Sequence, residues 1–238
     1  MYRRKEAMIV HLKTNSRKKI VILGTGGNCL DILDAINDVN DARREKIYEC
    51  IGFLDDDEQK WGKEFFGVKV WGPLASAGQY EECSFVNGIG SPANFWKKKE
   101  IISKTGVGLE RFETIVHPTA SVSKMSILGA GTVVFPNATI ASNVKIGHHV
   151  IILPNTVVSH NDAIGDYTCI AGGVCVSGGV EIGHSCYLGA NTSLINDVRV
   201  GNYCLIGMGS VVLTDVPDNE IWVGNPARFL RETFTERV

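Results

Sequence analysis

The spacing of hydrophobic positions changes part-way along the chain. From Val116 to Val212 an aliphatic residue recurs every six positions without a break, and all seventeen of these positions hold Val, Ile or Leu. The next position is often glycine, as in Gly129, Gly147, Gly165, Gly183 and Gly201. The position four after the aliphatic is mostly small, as in Ala120, Thr132, Thr156, Thr168 and Ser210. A period of six is a short strand followed by a turn, with the aliphatic pointing inward and the glycine expected to supply the backbone angles of the corner. Three such units close one triangular coil, and stacking the coils aligns the aliphatics in columns, each coil contacting only its neighbours.

Before Val116 the pattern alternates strand-like and helix-like stretches. Lys19–Leu23 is an apolar run of buried-strand type, followed by the turn Gly24-Thr25-Gly26-Gly27 and a helical stretch carrying Leu30, Leu33, Ala35 and Ile36. A second strand over Cys50–Leu54 ends in Asp55-Asp56-Asp57. Short strands are expected at Val68–Val70 and from Phe85 to Gly90, then a helix from about Ala93 to Lys104. This order argues for a small parallel α/β sheet. The division that follows is a basic tail over 1–17, an α/β head over 18–114, the repeat over 115–216 and a terminal cap over 217–238, with a short helix from Arg228 to Glu236.

Composition narrows the function classes. A chain of 238 residues with 44% hydrophobic and 21% charged residues has the balance of a soluble globular protein. A net charge of -2 gives nucleic acid no electrostatic footing. No apolar run approaches the ~20 residues of a membrane span, and no apolar stretch of signal-peptide type opens the chain. The seven cysteines are scattered without a CxxC pair, which disfavours a disulfide framework or structural zinc and points to a reducing cytoplasm. His148 and His149 are adjacent, but no third ligand has suitable spacing, so no metal is expected.

The glycine turn between first strand and helix is where backbone amides and a helix N-terminus can meet a phosphate. The dinucleotide fingerprint is incomplete, because Cys29 stands at its third glycine. Asp55 and Asp56, at the end of the second strand, are placed to bond a ribose or base edge. A plain strand–helix turn with a solvated acidic loop explains the same residues.

A small head of this kind directly before a hexapeptide repeat resembles the nucleotide-sugar acetyltransferases with a Rossmann-like head. These include enzymes that N-acetylate UDP-4-amino-sugars for bacillosamine, those acting on GDP-perosamine, and sialic acid O-acetyltransferases. The likeness runs from Lys18 to Arg231. It implies that the repeat folds as a left-handed parallel β-helix and that the head holds the nucleotide of the sugar substrate. The matching positions are Gly24, Thr25, Gly26, Gly27, Asn28, Asp55, Asp56, Gly90 and Ser91, with Lys97 and Lys98 as phosphate partners. Asn28 stands where a histidine is usual.

In the repeat, Ser159-His160-Asn161-Asp162-Ala163-Ile164-Gly165 resembles the family's catalytic segment. The resemblance makes His160 the general base for an attack on the thioester of acetyl-CoA, a task suited to an imidazole that titrates near neutrality. The oxyanion donor one coil on would be the amide of Gly178, on backbone expected to be uncovered. Two departures stand out. Asn161 replaces the usual acid after the histidine, and Asp162 falls in the inward small-residue column, where it either serves His160 or bonds the turn. Cys169 stands where many relatives have a second histidine near the thioester.

For coenzyme A the resemblance implies a groove between neighbouring β-helices of a homotrimer. Its positions here are Cys169, Gly178, Gly189, Ala190, Gly207, Met208 and Arg228, the last in a Gly-x-Pro-Ala-Arg closing segment. The implied activity is acetyl-CoA-dependent N-acetylation of a nucleotide-linked amino-sugar. O-acetylation of a sialic acid or other sugar would use the same base. A non-catalytic hexapeptide scaffold is the third reading, favoured by Asn161 and Cys169.

Overall fold

A computed structural model describes residues 17–234. The basic tail expected over 1–17 lies outside the described residues except for Arg17.

The head is built on β1 (Lys18–Leu23), α1 (Gly27–Arg43), β2 (Tyr48–Leu54), β3 (Glu64–Phe65), β4 (Val68–Gly72), β5 (Ser84–Asn87) and α2 (Lys98–Ser103). The sheet order is β3-β4-β2-β1-β5, parallel except for the β3–β4 hairpin. Ile20, Val21, Ile22 and Leu23 are all fully buried, as a central strand covered on both faces requires. In the sheet β1 is flanked by β2 on one side and β5 on the other. The crevice at their carboxyl ends is the place where such sheets take ligands. The helix expected from Ala93 begins later, as a turn over Phe95–Lys97 that leads into α2. Asn94 Oδ1 accepts from the Ser91 N–H (2.8 Å), and this side-chain turn occupies the residues before it.

From Ile115 the chain winds as a three-faced parallel β-helix. Strands eighteen residues apart pair in register, for example Ile151↔Cys169 and Ile152↔Ile170. Face one carries Ile115–Val116, Ile151–Ile152, Cys169–Ile170 and Tyr187–Leu188, among others; face two includes Val157–Val158 and Cys175–Val176; face three includes Ala163–Ile164 and Glu181–Ile182. The inward aliphatics form one continuous core from Val134 to Val212. The head lies on face one, where Ile115, Val133, Ile151 and Cys169 share a buried cluster with Ile20, Ile32 and Phe53.

The corner glycines have a different cause from the one expected. The left-handed corner residue is three after the aliphatic, as at Asn143 (φ 58°), Asn155 (φ 60°) and Asn161 (φ 64°). Asparagine tolerates this conformation. The glycine after the aliphatic is required by close approach, since a Cβ on Gly165 would lie 2.5 Å from the His184 nitrogen of the next coil.

The terminal helix expected from Arg228 is also corrected. Arg228–Glu232 is a strand, antiparallel to Glu220–Val223, which itself extends face one beyond Leu205–Ile206. The last coil would otherwise expose a row of unpaired backbone groups, and the hairpin covers it. Residues 235 and 236 of the expected helix lie outside the described residues.

Candidate active site

The carboxyl ends of β1, β2 and β5 open into a cavity of about 570 Å³ between the head and face one. All nine head residues singled out in the sequence line it: Gly24, Thr25, Gly26, Gly27, Asn28, Asp55, Asp56, Gly90 and Ser91. The turn needs glycine at Gly24, whose φ is +92° and whose Cβ would lie 2.9 Å from both Cys29 Sγ and Ile89. Gly26 caps α1 with no side-chain hydrogen bond, and a Cβ on Gly27 would meet nothing within 4 Å. The first amides of a 17-residue helix therefore face open space, an anion site by geometry and dipole.

The two acids are engaged within the head. Asp55 Oδ2 accepts from Thr25 Oγ1 (2.5 Å) and Lys60 Nζ (3.1 Å), and Oδ1 accepts from the Asp57 N–H (2.9 Å). Burial alone would raise its carboxyl, but these hydrogen bonds hold it below the ordinary value. Asp56 accepts from the Leu74 N–H (3.0 Å) and pairs with Lys104 Nζ (2.8 Å). Both acids thus brace the cavity rim. Asn28 donates through Nδ2 to the Gly90 carbonyl (3.2 Å), tying the first turn to the turn after β5.

Lys98 is not a phosphate partner. Its side chain is fully buried, and Nζ donates to the His149 carbonyl (2.6 Å) and to Cys169 Sγ (3.4 Å). Burial lowers its pKa. Lys104 is the lysine on the cavity wall, together with Ile151, Leu153, Ala171 and Tyr187 of the β-helix. The sequence reading missed these, because nothing in the repeat distinguishes the face the head covers. Cys169, assigned to the coenzyme groove, lines this cavity too.

His160 sits at the edge between faces two and three. Its ring lies on the backbone of Gly178, where a Cβ would come within 2.5 Å of Cε1 and 2.9 Å of Nε2. The imidazole therefore fills the space that a side chain at Gly178 would take, and glycine is what admits the ring there. The Gly178 N–H donates no hydrogen bond among the described residues. Asn161 Nδ2 is 3.1 Å from His160 Nδ1, and Asn161 Oδ1 accepts from Asn143 Nδ2 (2.8 Å). Asp162 does not reach the ring. It turns inward and bonds the next coil, accepting from the Val180 N–H at 2.8 Å.

Gly189, Ala190, Gly207 and Met208 lie along the edge between faces one and two, with Met208 80% exposed. Gly189 and Gly207 bond the next layer, and the amides of Ala190 and Met208 remain free among the described residues. Arg228 is exposed at the end of the cap hairpin. One chain therefore does not bring its own His160 and head cavity together. The prism edge that carries His160 is the one opposite face one, and His160 is absent from the cavity lining.

The head over residues 19–104 matches the PglD N-terminal domain model, and residues 125–160 and 179–214 match the bacterial transferase hexapeptide (six repeats) model. The head is thus matched by one family model and parts of the repeat by the other. The β-helix is left-handed. The chain is 31% identical over 121 residues to UDP-N-acetylbacillosamine N-acetyltransferase of Bacillus subtilis, an alignment covering 48% of this chain and 50% of that protein. The match thus spans about half the length of that curated relative. The acetyltransferase domain of PglB from Neisseria gonorrhoeae has the same fold, with a TM-score of 0.77, 23% identity, and 90% and 100% of the two chains covered. PerB from Caulobacter crescentus, solved with CoA and GDP-perosamine, shares it at a TM-score of 0.77 and 24% identity, with 91% and 99% covered. Among the described residues no helix is long and apolar enough to cross a membrane, and no group of three metal-ligating side chains is present.

Proposed function

We propose that the protein transfers the acetyl group of acetyl-CoA to the amine of a nucleotide-linked 4-amino-sugar of the UDP-4-amino-4,6-dideoxy type. The observation that carries this reading is the imidazole of His160 lying against a free Gly178 amide. The amine attacks the thioester carbonyl while His160 Nε2 takes its proton. The oxyanion accepts from Gly178 N–H, and collapse expels the CoA thiolate, which the imidazolium reprotonates. Nε2 is free to act only when Nδ1 carries the ring proton. Turning the amides of Asn161 and Asn143 together by half a turn provides this, with Asn161 Oδ1 accepting from Nδ1–H.

Three copies supply the rest. The outward residues of face two are Ser121, Thr139, Val157, Cys175, Ser193 and Val211, with no charge among them. Face three carries Lys145, Glu181 and Arg199, and face one is covered by the head. With face two toward a threefold axis, the His160 edge of one copy lies beside the Ala190–Met208 edge and head cavity of the next. Coenzyme A would run between them, held by the free amides of Ala190 and Met208, with Arg228 on a phosphate. The diphosphate of the sugar nucleotide would sit on the first turn of α1. The named activity of the Bacillus relative and the ligands of PerB support the same substrate class.

Thiol release from acetyl-CoA, measured across UDP-, GDP- and dTDP-4-amino-sugars and free sialic acid, tests the proposal. Release with one amino-sugar nucleotide supports it and names the nucleotide. Release with sialic acid alone moves the activity to O-acetylation, and silence with CoA still bound supports the scaffold reading. A second test concerns the head. Gly27→Glu has room for its Cβ and retains the helix, but sets a carboxylate in the anion site. KM for the sugar nucleotide should rise at least about tenfold, with KM for acetyl-CoA unchanged.

A further inference from the structure

The inward column four residues after each aliphatic has a chemical rule. Ser126, Thr132 and Thr168 each accept the N–H eighteen residues on (2.9, 3.2 and 3.1 Å) and donate to the carbonyl fifteen residues on (2.6, 2.9 and 2.9 Å). Their hydroxyls thereby pin one peptide of the neighbouring coil to the next. Asp162 occupies the same column and fulfils half of the rule, accepting from the Val180 N–H at 2.8 Å. Its other oxygen, Oδ2, is buried without a partner. The carbonyl fifteen residues on belongs to Ser177, and the other end of that peptide is the Gly178 N–H beneath His160.

We propose that Asp162 is held as a neutral carboxylic acid whose Oδ2–H donates to the Ser177 carbonyl, so that it positions and polarises the peptide presenting the Gly178 N–H. The inference rests on the proposed reading of this site, with His160 as base and that amide as oxyanion donor. An acid group is both acceptor and donor, as the column's hydroxyls are; a carboxylate is acceptor only. An ionised Asp162 would bury a charge and set a second anionic oxygen near a carbonyl. Burial pushes Asp162 up to about 7, partly offset by the backbone N–H groups of Val180, Ser159 and Gly179. The titratable groups around it are His160 on its own turn, Lys145 on the coil below, and Glu181 and Asp197 on the coils above. None of them is a cause of the shift.

The sign is then fixed. The acid form is needed, so activity falls as pH rises through about 7. Because the folded value is raised, the stability Asp162 contributes is full below the ordinary carboxylate range and is lost as pH rises to about 7.

The test compares the full-length protein with Asp162→Asn, which keeps one donor and one acceptor, and with Asp162→Val, the residue the column already holds at Val144 and Val180. Asp162→Asn should retain kcat and lose the alkaline decline. Asp162→Val should fold and lose about tenfold in kcat with KM for acetyl-CoA unchanged. Infrared difference spectra should show a carboxylic-acid carbonyl band near pH 6 that Asp162→Asn lacks. The same alkaline decline in both proteins, an unchanged kcat in Asp162→Val, or no acid band would each overturn the proposal. A wild-type rate in His160→Ala would instead remove the reading on which it rests, so the two failures are distinct.

Discussion

Acetyl transfer by His160→Ala should fall by about 10²–10⁴-fold, with binding of acetyl-CoA and of the sugar nucleotide retained. The size follows from what the substitution removes and what it leaves. The imidazole is the one group at this edge able to take a proton from an attacking amine at neutral pH. Asn161 carries no charge, and Asp162 is turned into the coil. The Gly178 amide stays in place, so polarisation of the thioester carbonyl persists and the residual rate should exceed that in water. His160 is exposed and its ring supports no column of the core, so thermal unfolding should match wild type. Single-turnover thiol release with both ligands saturating, read beside calorimetric binding, separates chemistry from affinity. A variant that released CoA at the wild-type rate would end the base assignment.

The sequence made the architecture legible because two physical constraints repeat along it. Every coil needs an inward aliphatic, and most corners from Gly131 to Gly209 carry Asn or Gly in the left-handed region, with His149, Tyr167, Ser185, Asp197 and Tyr203 held there by the coil. The role of the glycines was misassigned, since a close approach between coils exists only once the coils stack. The head turn was legible for a similar reason: Gly24 to Gly27 and the ends of β2 and β5 converge on one cavity in any sheet of this order. Contacts between the two units were not legible. Lys98 reads as a surface cation on a helix, yet tertiary packing buries it against His149 and Cys169. Arg228–Glu232 reads as a helix end, and the open edge of the last coil draws it into a strand. Asp162 reads as an anomaly in the small-residue column. Its half-satisfied hydrogen-bonding rule emerges only when Ser126, Thr132 and Thr168 are laid beside it.

The distance between His160 and the head cavity within one chain leads to a sharper expectation. If each site joins the His160 edge of one copy to the cavity of the next, two variants that are impaired alone should restore each other when co-expressed. His160→Ala keeps a working cavity, and Gly27→Glu keeps a working base. At sugar-nucleotide concentrations below the wild-type KM, the His160→Ala homotrimer is nearly silent and the Gly27→Glu homotrimer keeps about a tenth of the wild-type rate or less. In a mixed trimer a site works when its base comes from a Gly27→Glu copy and its cavity from a His160→Ala copy. For equal, random mixing this holds at about a quarter of sites, so about a quarter of wild-type activity should return. Combining purified homotrimers without subunit exchange should return none. A site completed within one chain would give no recovery under any mixing, because every copy would still lack one half. The experiment therefore reads the assembly through the chemistry, and it does so without depending on which sugar the enzyme takes beyond the one that turns over.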